Sequence, residues 1–325
     1  MIDLKEILIP VQREMEDLEK AVKFHLASKV PFVESVVDYV IKNGGKRLRP
    51  LLTVLGARLS GYSGSASVNL GAAVEFMHTA SLLHDDVLDN AGIRRGRATT
   101  NVKWGNHVSV LVGDFFYCRA MDILVSQGDI RILRVITDAI TTTTEGEILE
   151  ITKSNDVGTT RDDYLKVIDG KTAALFGASC QIGAILGNVS SEFEKALHKF
   201  GFKLGMAFQL MDDVLDYTSA VEEFGKASGT DLREGKLTLP LIIALEQCRK
   251  EEAQKIKNVL ISDSTTSAHF NEIFQIVERY GGISGTISLA QSFVTQAKEE
   301  LAVFKPSLEK ETLLSIADYV LLRKN

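Results

Sequence analysis

The chain has 325 residues, 45% hydrophobic and 25% charged, with 37 basic side chains against 43 acidic ones and a net charge of -6. Those proportions exclude a disordered or fibrous protein. The acidic balance excludes a general attraction to nucleic acid or to anionic membrane, so any anion site has to be local. Length alone allows one large domain or two, and the lack of a Pro- or Ser-rich linker favours a single unit spanning residues 1–325 with room for a sizeable core.

The N-terminal MIDLKEILIPVQREMEDLEK carries acids where an export signal would be apolar, so no signal peptide is expected. Cys118, Cys180 and Cys248 are widely spaced and read as packed thiols of a reducing, cytoplasmic compartment. Pro10, Pro31, Pro50 and Pro306 stand where helices would begin. Apolar residues recur at helical spacing over 31–43, 49–61, 69–90, 107–127, 130–151, 164–188, 193–217 and 239–261, and strand-like alternation is missing. Short turns around Gly44-Gly45, Gly61, Gly92, Gly128, Gly158 and Gly187 separate these segments, so neighbouring helices should run antiparallel. The expected fold class is all-α, a bundle of long antiparallel helices.

The uncharged stretch TAALFGASCQIGAILGNVSS, 172–191, is long enough to cross a bilayer, but its polar residues and glycines fit a buried core helix better; no transmembrane segment is expected. The longest irregular stretch, 218–239, follows an acidic cluster and contains Lys226 and Lys236, which favours a functional loop.

Two clusters carry the chemistry. LLHDDVLDN contains Asp85, Asp86 and Asp89, and QLMDDVLDY repeats the same DDVLD as Asp212, Asp213 and Asp216. On a helix, positions i and i+4 share a face, so Asp85 with Asp89 and Asp212 with Asp216 each form a two-pronged oxygen ligand. Gly92 reads as a helix stop, placing the first cluster at the negative end of a helix dipole, where carboxylates are disfavoured unless a cation offsets them. Oxygen-only ligands without Cys or His spacing select a hard ion, of which Mg2+ completed by substrate phosphates is the commonest case. GGKRLRP supplies Lys46, Arg47 and Arg49 beside a helix start, and Arg94, Arg95, Lys171, Lys226 and Lys236 flank the two clusters, which suits more than one phosphate group. Apolar turns precede both clusters. The residues therefore point to magnesium, a diphosphate and a hydrocarbon tail in one deep cavity.

In order and spacing, GGKRLRP, LLHDDVLDNAGIRRGRAT, GKTA and FQLMDDVLDYTSAVEEFGK with GTDLREGKLTLP resemble the signature regions of the trans-type isoprenyl (polyprenyl) diphosphate synthases, from about Lys42 to Pro240. The resemblance implies a helical bundle around a central cavity, usually a homodimer, with isopentenyl diphosphate and an allylic diphosphate as substrates. It assigns Asp85, Asp86, Asp89, Asp212 and Asp216 to the magnesium ions, with Asp213 completing the second motif. Arg94, Lys171, Lys226 and Lys236 would hold the allylic diphosphate; Lys46, Arg49, His78 and Arg95 would hold isopentenyl diphosphate; Thr172 and Gln209 would steady the developing cation. In the family, bulky aromatics beside the first cluster go with short products. Ser81 and Ala80, one turn before Asp85, therefore imply a long chain, in the hexaprenyl to decaprenyl range used for quinone side chains, with Met77, Met121 or Ile136 as a floor.

A shorter-chain (farnesyl or geranylgeranyl) synthase is the alternative within the resemblance, and three rivals outside it fit the residues less well. Glu75 and His78 make one E-x-x-H, but a di-iron bundle needs two. A class I terpene cyclase would share the first cluster without needing GGKRLRP, and a non-catalytic subunit has no reason to keep both clusters intact. Residues beyond about Gln247 read as amphipathic helices without chemistry.

Overall fold

A computed structural model of the chain describes residues 4–42, 44–222, 229–260 and 266–323. Helices α1 (Leu4–Leu8) and α2 (Gln12–His25) lead into α3 (Pro31–Lys42), α4 (Leu48–Leu59) and the long α5 (Ala66–Leu88). A two-residue ribbon, β1 (Ile93–Arg94) with β2 (Arg97–Ala98), precedes α6 (Thr100–Trp104), α7 (Asn106–Gln127) and α8 (Ile130–Lys153). Then come α9 (Arg161–Ile168), a π-helical turn at Asp169–Ala173, α10 (Ala174–Leu186) and the longest element, α11 (Ser191–Glu222). The chain closes with α12 (Thr230–Arg233), α13 (Leu239–Gln247), α14 (Lys250–Leu260), α15 (Ser267–Arg279), α16 (Gly282–Glu300) and α17 (Leu308–Leu322).

The packing follows the hydrophobic pattern. α10, apolar all round, is buried on every side, with α4, α8 and α11 against it; α5 packs on α4 and α7, and α11 packs on α16. This is the core helix expected for 172–191, and among the described residues no helix is long and apolar enough to cross a membrane. The three cysteines are free thiols, Cys180 fully buried and Cys118 exposed.

The departures from expectation are local. Among the described residues the sole strand pairing is the β1–β2 ribbon, in register Ile93 with Ala98 and Arg94 with Arg97. Its two turn residues, Arg95 and Gly96, both have positive φ, 51° and 74°, the geometry that matches strand twist in a two-residue hairpin. A run of arginines hid that turn from a reading based on Gly, Asn and Asp pairs. α5 ends at Leu88 with Asp89 as C-cap, one turn before Gly92. α11 runs through Glu222, so the irregular stretch expected over 218–239 starts later, and α12 interrupts it.

Candidate active site

The two DDVLD segments occupy different helical environments. Asp85, Asp86 and Asp89 sit in the final turn and cap of α5, where unsatisfied carbonyls make further negative charge costly. Asp212, Asp213 and Asp216 lie inside α11, more than a turn from its end, so the dipole argument does not reach them. Asp216 instead accepts hydrogen bonds from the backbone N–H of Thr230 at 3.2 Å and of Asp231 at 3.3 Å, tying α11 to α12.

Members of both clusters line two adjoining chambers. The larger, about 750 Å³, is lined by Lys46, Arg47, Arg49, Arg95 and Arg323 together with Asp85, Asp212, Lys171 and Gln209, with Leu82, Phe176 and Phe208 as apolar wall. The smaller, about 430 Å³, holds Asp85, Asp89, Asp213, Glu150, Lys171 and Lys236. Asp85, Arg94, Lys171 and Gln209 belong to both. The larger chamber is predominantly basic, the smaller mixes acids and bases in near balance, and they meet at shared side chains.

The basic chamber is built by close approach. In GGKRLRP, Arg47 takes a left-handed conformation as N-cap of α4, and its guanidinium bonds Glu75 at 2.6 Å and Glu19 at 3.2 Å. Glu75 is thereby committed to an arginine, which removes the E-x-x-H reading. The Arg95 guanidinium passes close over Gly45: a Cβ there would lie 2.6 Å from it and the side chain would have to shift. Arg49 lies with its guanidinium 4.6 Å from the centre of the Phe176 ring, and burial pushes its pKa down to about 10, so it remains cationic at neutral pH. His78 is held well below its ordinary value by burial and by Arg49, Arg95, Arg94 and Arg47. It therefore presents a neutral imidazole to this chamber.

In the smaller chamber, Lys236 Nζ reaches Asp89 at 3.1 Å, Glu234 at 2.8 Å and Glu150 at 3.6 Å, while Lys171 reaches Glu150 at 2.7 Å and Glu147 at 3.0 Å. Burial works against both charged lysines, but the surrounding acids outweigh it and raise both pKa values. The carboxyls move upward too. Burial, with Glu147 adding, lifts Asp85 to about 7; burial lifts Asp213 to about 7; Asp212 and Asp216 rise for the same first reason.

This crowding tests the metal reading. The donors are all carboxylate oxygens held close enough to oppose one another's ionisation, and a hard divalent cation relieves that opposition. Among the described residues no three such side chains already converge on a single point. An ion held here would take only part of its coordination shell from the protein, which suits a hard cation completed by phosphate and water oxygens.

Several sequence-derived assignments shift in detail. Asp86 is buried, and its Oδ1 accepts from Arg94 Nε at 2.7 Å, so it anchors the β1–β2 ribbon rather than facing the smaller chamber. Ser81 lines the basic chamber, whereas Ala80 and Met77 are packed in the core. Of the residues suggested as a floor, Ile136 is buried but Met121 is exposed on the outer face of α7, a position that a bare heptad-like pattern could not distinguish. Lys226 lies outside the described residues. Residues beyond Gln247 are not without chemistry: Arg323, just after α17, enters the basic chamber and bonds Asp212. Glu147, Glu150, Tyr164 and Asp231 were also overlooked. The Glu147/Glu150 pair had a legible signal, two acids at i and i+3 on one helix face; the other three did not.

Paired aspartate clusters facing cationic side chains across a hydrocarbon-walled cavity, in a bundle that is helical almost throughout, define an isoprenoid synthase scaffold. The polyprenyl synthetase family model matches residues 30–277, and the chain belongs to that family, whose members are prenyltransferases. Octaprenyl diphosphate synthase of Escherichia coli (strain K12) is 38% identical over 323 residues, covering 99% of both chains. The crystal structure of a decaprenyl diphosphate synthase from Rhodobacter capsulatus superposes with a TM-score of 0.94 at 36% identity, covering 99% of this chain and 100% of that one. A polyprenyl synthase from Caulobacter crescentus CB15, crystallised with calcium and isoprenyl diphosphate, gives 0.95 at 36% identity over 99% and 98% of the two chains. The resemblance read between residues 42 and 240 holds and extends in both directions.

Proposed function

We propose that this enzyme condenses isopentenyl diphosphate with an allylic diphosphate, dependent on Mg2+, to make a long-chain all-trans polyprenyl diphosphate of hexaprenyl to decaprenyl length for quinone side chains. The observation that carries the reading is the pair of adjoining chambers, one ringed by arginines and one where aspartates and glutamates stand among lysines, meeting at Asp85, Lys171 and Gln209. Two diphosphates of different needs are thereby set side by side, one wanting a metal bridge and one wanting arginines. The identity of 36–38% to octaprenyl and decaprenyl synthases and the small Ser81 in the chamber wall support the long product.

In this reading Lys171 and Lys236 hold the departing diphosphate, and Arg94 closes the same end. Lys226, with the same expected role, lies outside the described residues. Asp85, Asp89, Asp212 and Asp216 would hold magnesium, which would supply positive charge to offset the leaving group. Lys46, Arg49, Arg95 and the neutral His78 position isopentenyl diphosphate with its double bond toward the allylic carbon. Thr172 and Gln209 turn oxygen dipoles to the cation that develops there, and Phe176, Phe208 and Leu82 exclude water from it. The double bond attacks, a new carbon–carbon bond forms, and a proton leaves to the released pyrophosphate; no nucleophilic side chain takes part.

The same reading takes residues 1–325 as one cytoplasmic domain that pairs as a homodimer, which the exposed Leu111, Met121 and Val125 on α7 support. Incubating the purified protein with isopentenyl diphosphate, Mg2+ and a set of allylic primers tests it, with pyrophosphate release and product chromatography as readouts. Products of six to ten isoprene units are expected. Products of four units or fewer would remove the chain-length assignment, and no pyrophosphate with any primer would remove the activity.

A further inference from the structure

One buried chain of hydrogen bonds links residues of the two chamber walls. Thr172 Oγ1 donates to Gln209 Oε1 at 2.8 Å, Gln209 Nε2 donates to Asp213 Oδ1 at 2.9 Å, and the Tyr164 hydroxyl donates to Asp213 Oδ2. Three elements contribute: the π-helical turn, α11 and α9. Tyr164 and Asp213 are both buried, with 4% and 3% exposure, so water does not compete for these bonds.

The geometry gives the direction of every link: Asp213 accepts from the Gln209 nitrogen and from Tyr164, so Gln209 Oε1 is turned to Thr172. Thr172 then spends its single hydroxyl proton on Gln209. Its oxygen lone pairs, together with the free side of Oε1, are left facing the chamber that both residues line. A flipped Gln209 would set its oxygen against the carboxylate and free the Thr172 proton to point into the chamber, which would be repulsive to a cation there.

We infer that Tyr164 is a positioning residue for prenyl transfer: by occupying one oxygen of Asp213 while Gln209 occupies the other, it locks the Gln209 amide and the Thr172 hydroxyl with their negative ends toward the reacting carbon. This rests on the function proposed above. Asp213, with both oxygens engaged, belongs to this lock. The strong upward shift of the Tyr164 hydroxyl, from burial and then Asp213, agrees with a proton that stays on the phenol.

Tyr164→Phe keeps the ring and removes the donor. With Mg2+, isopentenyl diphosphate and an allylic primer, kcat is expected to fall about tenfold or more while KM for each diphosphate stays within about twofold, because the lock acts on the developing cation and not on the diphosphates. Thr172→Val should lower kcat similarly, and Tyr164→Phe combined with Thr172→Val should fall little below the worse single variant, since both break one chain. If Tyr164→Phe does not fold, the isosteric Asp213→Asn asks the same question, because its amide can accept from Tyr164 only by turning NH2 toward Gln209, and the same loss of kcat is expected. An unaltered protein that turns over, with Tyr164→Phe or Asp213→Asn keeping full kcat, overturns the inference alone, as do multiplicative losses in the double variant. An unaltered protein without turnover overturns the proposed function as well.

Discussion

Arg323 Nη2 lies 2.9 Å from Asp212 Oδ1, joining the last turn of the described chain to the second aspartate cluster. The guanidinium also stacks 3.7 Å from the centre of the Phe208 ring and donates to the Phe208 carbonyl oxygen at 2.5 Å. A single cation thus covers an acid that magnesium would otherwise neutralise. Arg323→Met keeps the apolar stem over the ring and deletes the charge. It should destabilise the metal-free protein by about 1–2 kcal/mol, because Asp212 opens on its far side to the chamber and keeps some hydration. The loss should shrink when Mg2+ and inorganic pyrophosphate are added. Thermal melts with and without these additions check both parts; an equal loss in the two states would show that Arg323 merely packs.

A second expectation concerns pH. Asp85 and Asp213 titrate at about 7 in the fold against an ordinary carboxyl value near 3.8. A carboxyl whose pKa is raised on folding stabilises most when protonated, and that contribution is lost as pH rises from the unfolded value through the folded one. Asp212 and Asp216 shift in the same direction. The melting temperature of the metal-free protein should therefore fall between pH 5 and pH 8, at roughly 1.4 kcal/mol per pH unit for each proton lost. Saturating Mg2+ with pyrophosphate should flatten that fall. Calorimetry of the metal-free protein giving a melting temperature that rises over this window would contradict the burial of these acids.

How much of this was legible beforehand divides along physical lines. Helix periodicity, the repeated DDVLD and the basic GGKRLRP are local patterns, and each maps onto an element or a chamber wall with little distortion. The i, i+4 spacing set Asp85 beside Asp89, but it could not show that Asp86 between them turns to Arg94. Arg323 and Tyr164 were missed because nothing near them in the chain differs from ordinary helix ends and faces; only tertiary packing brings them to Asp212 and Asp213. The hairpin at Arg95 was missed because an arginine precedes Gly96 where the usual turn pairs have Asn, Asp or Gly.

Removing a carboxylate from the smaller chamber should separate function from stability. Asp85 faces Glu147 and Asp89, and its ionised form is disfavoured by burial before any metal arrives. Asp85→Asn keeps the shape and deletes that opposition. At pH 8 the metal-free variant should melt about 1–3 °C higher than the unaltered protein, while turnover falls about a hundredfold or more for want of a metal ligand. A variant that loses folding together with activity would mean that Asp85 is part of the framework.

Chain length offers the sharpest contrast between neighbouring residues. Ser81 Oγ donates to the His78 carbonyl at 2.8 Å, and the side chain forms part of the chamber wall, so a ring there has open space ahead of it. Ala80, on the next position of the same helix, is fully buried in the core. Ser81→Phe should therefore shorten the products with little change in melting temperature, as the ring projects into the path of the growing tail. Ala80→Phe should overpack the core instead, at a cost of about 1–3 kcal/mol. Product chromatography and thermal melts on the two variants distinguish the positions: unchanged chain length in Ser81→Phe would show that the tail does not pass this wall, and a normal melting temperature in Ala80→Phe would show that the core around α5 has room this geometry denies it.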